Sequence, residues 1–162
     1  MSHSESTVLY RIATAEDIGL LVQSRLDTLR AVNHLEEDYS FSAAFVEESR
    51  KYFLEGAQET ALALCEGRVV GCASLCFISI MPTFSHPTGK RAHLMNVYTD
   101  SAFRRRGIAR QLVSMLIDIA WRKGVTEISL DATEAGRPLY LSMGFRDSGE
   151  CMVLENCEES GI

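Results

Sequence analysis

Arg104, Arg105, Arg106 and Gly107 run into Ile108 and Ala109, where an apolar-periodic segment begins. A junction of this kind can bind an anion. A helix N-terminus offers unpaired backbone N–H groups and a partial positive charge, and phosphate oxygens fit both. Gly107 would let the backbone approach the anion closely, and Ala109 keeps the next turn narrow. Successive amides in such a turn form an anion-binding nest. Arginine side chains add forked donors matched to phosphate oxygens. The sequence has no Gly-x-x-x-x-Gly-Lys-Ser/Thr for a nucleoside triphosphate and no Gly-x-Gly-x-x-Gly for a dinucleotide. Two other readings stay open on charge alone. One is a DNA-recognition helix using Arg104, Arg105, Arg106, Arg110, Arg122 and Lys123; the other is plain solvated charge.

The junction needs a strand before it and a helix behind it. Residues 91–99 read as the strand. Ile108, Leu112, Met115, Leu116, Ile119 and Ala120 form the stripe of an amphipathic helix that Gly124 ends. Residues 125–130 read as a buried strand, which predicts a β-α-β crossover with the two strands parallel. Ligands of such sheets sit outside the carboxyl ends of the strands, and the first strand's end leads straight to Arg104. Upstream, residues 8–12 predict a short strand. Thr14 and Asp17 have capping-box spacing before a helix carrying Ile18, Leu21, Val22, Leu26 and Leu29. A second helix is predicted over 42–54. Strands follow over 60–65 and 69–80, joined by a hairpin turn at Glu66-Gly67-Arg68, and 82–90 reads as a loop. Downstream, a short helix starts near Pro138 and stops before Gly144, and 151–154 predicts a last strand. The order β-α-α-β-β-β-α-β-α-β implies an α/β (α+β) fold with an antiparallel meander leading into one crossover.

The chain has 162 residues, 46% hydrophobic and 23% charged, with only three prolines. That composition suits a single globular domain over 1–162 with a polar tail at about 1–6. The net charge of −6 weighs against a generic nucleic-acid binder, so an anion site must be local. The N-terminus lacks an apolar signal core, and the longest apolar-rich run, 71–81, is too short to cross a bilayer. A cytoplasmic protein with no membrane and no nucleic-acid partner is therefore expected. The cysteines, Cys65, Cys72, Cys76, Cys151 and Cys157, are odd in number and form no Cys-x-x-Cys. They read as reduced apolar side chains, with no metal site.

Arg104-Arg105-Arg106-Gly107-Ile108-Ala109 resembles the Gln/Arg-x-x-Gly-x-Gly/Ala signature of the GCN5-related N-acetyltransferase (GNAT) superfamily, and Leu139-Tyr140-x-x-x-Gly144-Phe145 resembles another of its segments. The resemblance covers about residues 8–156 and is sharpest from 91 to 145. It implies the acyl-CoA N-acyltransferase fold, a mixed, mostly antiparallel sheet with a central parallel strand pair and flanking helices. It also implies acetyl-CoA as donor and an amine as acceptor. The backbone amides of Arg104, Arg105, Arg106, Gly107, Ile108 and Ala109 would hold the coenzyme A diphosphate. The main chain of Val97, Tyr98 and Thr99 would pair with the pantetheine arm like an added strand, which requires the strands 91–99 and 125–130 to splay apart. Thr133 stands where many members carry an asparagine, which puts a coenzyme A contact there in question. Dimers are common for this fold, so a homodimer is an open arrangement.

Acetyl transfer to an amine needs a neutral nucleophile, two reactants held together, donors for the oxyanion and a proton for the leaving thiolate. The resemblance places Tyr140 near the thioester sulfur, and a phenol with a pKa of about 10 can donate there. The other reading of Tyr140 is a ring packed under the sheet. An oxyanion donor is expected in a backbone N–H near Val97 or Tyr98. His93 stands at the offset where some histone acetyltransferases of the superfamily carry a glutamate base, and a histidine there can act near neutral pH. Its alternative is a structural hydrogen bond within a strand. Asp100, Asp131 and Glu134 are weaker candidates, water alone is another, and His3, His34 and His86 carry no pattern. The connection His34-Leu35-Glu36-Glu37-Asp38-Tyr39-Ser40-Phe41 puts carboxylates beside aromatics, which would suit a cationic amine or be a solvated turn. Rival readings are a non-catalytic acyl-CoA sensor of the same fold and a DNA-binding regulator.

Overall fold

The computed structural model describes residues 6–156; His3 and Cys157 lie outside the described residues. The chain divides into two compact units, Met1–Leu130 and Asp131–Ile162.

The first unit is built on a five-stranded sheet in the order β1 (Leu9–Ile12), β2 (Gln58–Cys65), β3 (Arg68–Ser79), β4 (Lys90–Thr99) and β5 (Glu127–Leu130). β1 through β4 are antiparallel neighbours, and β4 and β5 are parallel. Between β4 and β5 the chain passes through α3 (Ile108–Arg122), which makes this the crossover unit that the alternation of strand and helix patterns predicts. Glu66 and Gly67 join β2 to β3 with φ of 52° and 76°. Positive φ at both positions is a type I′ turn, whose twist matches the strands it joins.

Helices cover both faces of the sheet. β3 alternates regularly, so Gly71, Ala73 and Leu75 share one face. A Cβ on Gly71 would stand 2.8 Å from Ile108 Cγ2 and 3.3 Å from Leu112 Cδ1, which places α3 over that face. Leu112, Val113, Leu116 and Ala120 are fully buried there. The opposite face carries Cys72, Ser74 and Cys76, and lies under α1 (Ile18–Val32) and α2 (Ala43–Glu55). Leu21, Leu62 and Cys72 form its buried cluster, with Phe53 and Tyr98 packed against them. α1 begins with the capping box expected from Thr14 and Asp17, preceded by a 3-10 turn over Ala15–Asp17. Thr14 N donates to Asp17 Oδ2 at 2.8 Å. Arg11 grips the same carboxylate with bonds of 2.6 and 2.7 Å, and the carboxyl is held down at about 2 by that guanidinium first and by the Thr14 amide next. Ser42 caps α2 through Phe45 N.

In the second unit, α4 (Arg137–Ser142) carries Pro138 in its first turn, and Gly144 follows its end with φ of 97°. The strand expected over 151–154 does not form: these residues are irregular, with Met152 94%, Val153 78% and Leu154 99% exposed. The run is apolar and β-prone, yet among the described residues no strand pairs with it. Among the described residues no helix is long and apolar enough to cross a membrane.

Candidate functional site

The parallel ladder between β4 and β5 runs from Arg91 opposite Glu127 to Leu94 opposite Leu130 and stops there. Its closed end is tied by side chains as well as backbone. Arg91 Nη1 meets Glu127 Oε1 at 2.9 Å, and His93 Nδ1 shares a 2.7 Å hydrogen bond with Ser129 Oγ. Beyond Leu94, β4 runs on to Thr99 while β5 has ended, so among the described residues no strand pairs with that edge of β4 from Met95 onward. The splay required for an added strand is therefore present.

β4 also contains a bulge. Ser74 faces Met95 and Cys72 faces Tyr98, so Asn96 and Val97 together oppose the single residue Ala73. Asn96 has φ of 58°, a left-handed conformation that asparagine tolerates better than most residues. Past the bulge, Asp100 N donates to Val70 O at 2.8 Å. Hydrogen-bonded and non-bonded pairs alternate in an antiparallel ladder. The Tyr98 main chain thus bonds to Cys72, while the N–H and C=O of Val97 and Thr99 point to the open edge. Thr99 O already accepts from Arg104 Nε at 3.4 Å. Of the three residues singled out from sequence, Val97 and Thr99 offer their main chains and Tyr98 does not. The Tyr98 side chain packs toward α1, where burial pushes its phenol up.

The open edge leads into the arginine-glycine turn. Arg105 has φ of 62° and Gly107 φ of 76°, with Arg106 between them outside the left-handed region. Alternation of this kind turns successive N–H groups into one concavity. Gly107 is the N-cap of α3 and contributes no side-chain cap, and the first helical bond is Gln111 N to Gly107 O at 3.0 Å. The first-turn N–H groups of Ile108 and Ala109 have no carbonyl of the helix to bond. Nothing stands within 4 Å of where a Gly107 Cβ would be, so the space over the turn is open. The three arginines differ in engagement. Arg104 bonds Thr99 O; Arg106 donates to Ser6 O at 3.2 Å and lies 5.1 Å over the Phe103 ring. Arg105 is exposed and makes no side-chain bond among the described residues. An exposed nest with unpaired amides and a free guanidinium fits a diphosphate, and the adjoining open strand edge fits an amide-bearing arm.

A polar chain crosses the α1 face of the sheet beside the bulge. Arg25 Nη1 donates to Asn96 Oδ1 at 3.3 Å, and Asn96 Nδ2 donates to Ser74 Oγ at 3.3 Å. Ser74 Oγ and Thr60 Oγ1 lie 2.8 Å apart, and Thr60 Oγ1 donates to Gln58 Oε1 at 2.7 Å. Sequence reasoning missed Arg25 and Asn96. An asparagine inside the run Leu94–Tyr98, whose other members are hydrophobic, was the available signal, because that residue type tolerates left-handed backbone. Cys72 Sγ donates to Asn96 O at 3.3 Å, and burial pushes the thiol up to about 11. It is not a thiolate at neutral pH.

The α1–α2 connection does hold aromatics together. Tyr39 meets Phe41 edge-on at 5.0 Å and Phe41 stacks on Phe45 at 5.4 Å. The cation over Phe41 is the chain's own Arg30, 5.3 Å from the ring centroid and bonded to Tyr39 O.

In the second unit, Thr133 Oγ1 accepts from Gly136 N at 3.1 Å, a turn that leads into α4. Tyr140 meets Phe145 edge-on at 5.8 Å, and burial raises its phenol above the ordinary value. Arg137 pairs with Asp147. The spacing of Tyr140, Gly144 and Phe145 is thus that of one helical turn closing on its own exit: Phe145 N bonds Tyr140 O at 3.0 Å.

The profile of the acetyltransferase (GNAT) family matches residues 26–145. The chain is 35% identical over 89 residues to glucosamine 6-phosphate N-acetyltransferase of Trypanosoma brucei brucei, covering 55% of this chain and 58% of that one. It is 32% identical over 107 residues to N-acetyltransferase 8 of Homo sapiens, covering 63% and 44%. The chain spans about half the length of these curated relatives. A predicted acetyltransferase of Clostridium acetobutylicum, solved with acetyl-CoA, superposes with a TM-score of 0.82 at 28% identity over 95% of this chain and 99% of that one. With its profile matched over well more than half its length, the chain belongs to the acetyltransferase (GNAT) family.

Proposed function

We propose that the chain is an acetyl-CoA-dependent N-acetyltransferase that moves an acetyl group to the amine of a small acceptor by direct attack in a ternary complex. The observation that carries the reading is continuity: the open edge of β4 at Val97 and Thr99 runs directly into the amide nest at Arg105–Gly107. Bound acetyl-CoA supplies a thioester whose C–S bond breaks as the C–N bond to the acceptor forms, the sulfur leaving with the electron pair. The first-turn N–H groups of Ile108 and Ala109 neutralise diphosphate charge without needing particular side chains. The Val97 N–H serves the oxyanion or the arm, since it points to the open edge. Tyr140 donates its phenolic proton to the departing thiolate and is reprotonated from solvent; its raised pKa keeps that proton in place at neutral pH. His93 takes a proton from the acceptor's ammonium, directly or through water, and the neutral amine then attacks the thioester carbonyl. Protonated Cys72 leaves no thiolate there for an acyl-enzyme route.

A thiol-release assay over a panel of small amines with acetyl-CoA tests the reading. Turnover with at least one amine is expected, along with acetyl-CoA binding by calorimetry. Binding without turnover would instead favour a sensor of the same fold. His93→Gln should lower turnover on the best amine; an unchanged rate leaves water as the base.

A further inference from the structure

Four arginines of the described first unit are half-buried, and three of them have a carboxylate: Arg30 with Asp27 at 3.0 Å, Arg50 with Glu47 at 3.8 Å, Arg91 with Glu127 at 2.9 Å. The fourth, Arg25, has none among the described residues. Its partner is the neutral Asn96 carbonyl, at 3.3 Å. Taking a guanidinium out of water is unfavourable unless an anion compensates, and the group stays charged because arginine does not deprotonate in proteins. Arg25 is also held in place. Asn96 is pinned by its left-handed backbone and by Ser74, which is backed by Thr60 and Gln58, so its Oδ1 is aimed at α1. One guanidinium N–H is used in this way. Arginine has five, and among the described residues Arg91 Nε is the single buried side-chain nitrogen or oxygen without a partner. The remaining donors of Arg25 therefore reach solvent, beside the bulge from which the Val97 main chain faces the open edge.

We propose that Arg25 selects the acceptor: the amine substrate carries an oxyanion, a carboxylate or a phosphate, that docks on the Arg25 guanidinium beside the β4 bulge. The inference rests on the N-acetyltransferase reading above and names the substrate class of that site. The coenzyme's own phosphates have a separate seat at Arg105–Gly107, so Arg25 is not required for them. A planar fork suits either oxyanion, bidentate in each case.

The test compares matched amine pairs by thiol release: glucosamine against glucosamine 6-phosphate for the phosphate arm, and β-alaninamide against β-alanine for the carboxylate arm. The expected result is a kcat/KM about tenfold or more higher for the anionic member of one pair. Arg25→Gln should collapse that ratio toward one, mainly through the acceptor KM, and Arg25→Lys should retain part of it. Calorimetry with acetyl-CoA on each variant separates the two readings. If wild-type protein binds no acetyl-CoA, the transferase reading falls and this inference with it. If acetyl-CoA binds but the anionic members react no faster than the neutral ones, the inference alone is overturned. A preference that survives Arg25→Gln overturns it as well. So does an equal loss on both members, which would put Arg25 on the thioester oxygen.

Discussion

Leu94 and Leu130 form the last rung of the parallel ladder, and beyond them β4 continues to Thr99 with that edge unpaired by any strand among the described residues. A ladder that ends early is what makes a strand edge available inside a sheet rather than at its rim. Such an edge is a template for any extended amide-bearing chain. Here its direction leads to the α3 N-terminus.

Gly107→Ala tests that terminus. The left-handed φ of 76° is open to glycine at no cost, and an L side chain there costs about 1–2 kcal/mol. The new methyl would also project into the open space over the nest. Acetyl-CoA affinity should weaken about tenfold by calorimetry, with a Tm lower by about 2–4 °C. A folded variant with unaltered affinity removes the nest from the binding account.

Arg105→Glu should weaken acetyl-CoA binding further than Arg104→Gln does, because Arg104 is engaged with Thr99 O and Arg105 is free among the described residues. The effect of Arg105→Glu should shrink as salt is raised, since exposed charges are screened beyond about 8–10 Å at moderate ionic strength. Equal effects of the two changes at low salt would contradict this.

Tyr140→Phe should lower kcat by about a hundredfold, in the range for loss of a positioned proton donor, with the acetyl-CoA dissociation constant changed less than about twofold. A phenol donates only while protonated, that is, below its pKa. Burial raises that pKa, so a falling rate due to Tyr140 deprotonation belongs above the ordinary phenol range of about 10. A pH–rate profile of the wild type that loses activity between about pH 7 and 9, and keeps that loss in Tyr140→Phe, assigns it to another group.

Asp17 links pH to stability. Its carboxyl is lowered to about 2 by Arg11 and the Thr14 amide. A depressed carboxyl stabilises the fold fully above its unfolded value, about 3.9, and that contribution disappears as pH falls from about 4 toward 2. Asp17→Asn should therefore lower Tm by about 2 °C at pH 7 and make no difference near pH 2. A gap between the two proteins that is the same at both values would break the argument.

Local features were legible in the sequence because local chemistry produces them. The Thr14–Asp17 box, the turn at Glu66-Gly67 and the stop at Gly124 each depend on residues a few positions apart. The turn at Gly107 that opens α3 was legible for the same reason. The bulge at Asn96 was not, since strict period-2 reading has no place for an extra residue. Arg25 was hidden because its meaning lies in a contact across 71 positions of sequence. The run 151–154 misled in the opposite sense: β-prone residues make a strand only when an edge accepts them, and among the described residues none does.

The extra residue in β4 acts like a frameshift. Before it, Leu94 shares the α3 face with Leu75 and His93 shares the α1 face with Cys76; after it, even-numbered Tyr98 lies opposite Cys72 on the α1 face. Each position downstream thus has its facing set by a count rather than by its own chemistry. Deleting one residue at 96 would invert the facing of Tyr98, swing the Val97 and Thr99 amides away from the open side and leave the composition nearly untouched. Among related chains, length in this short segment is accordingly a sharper guide to a working strand edge than residue identity.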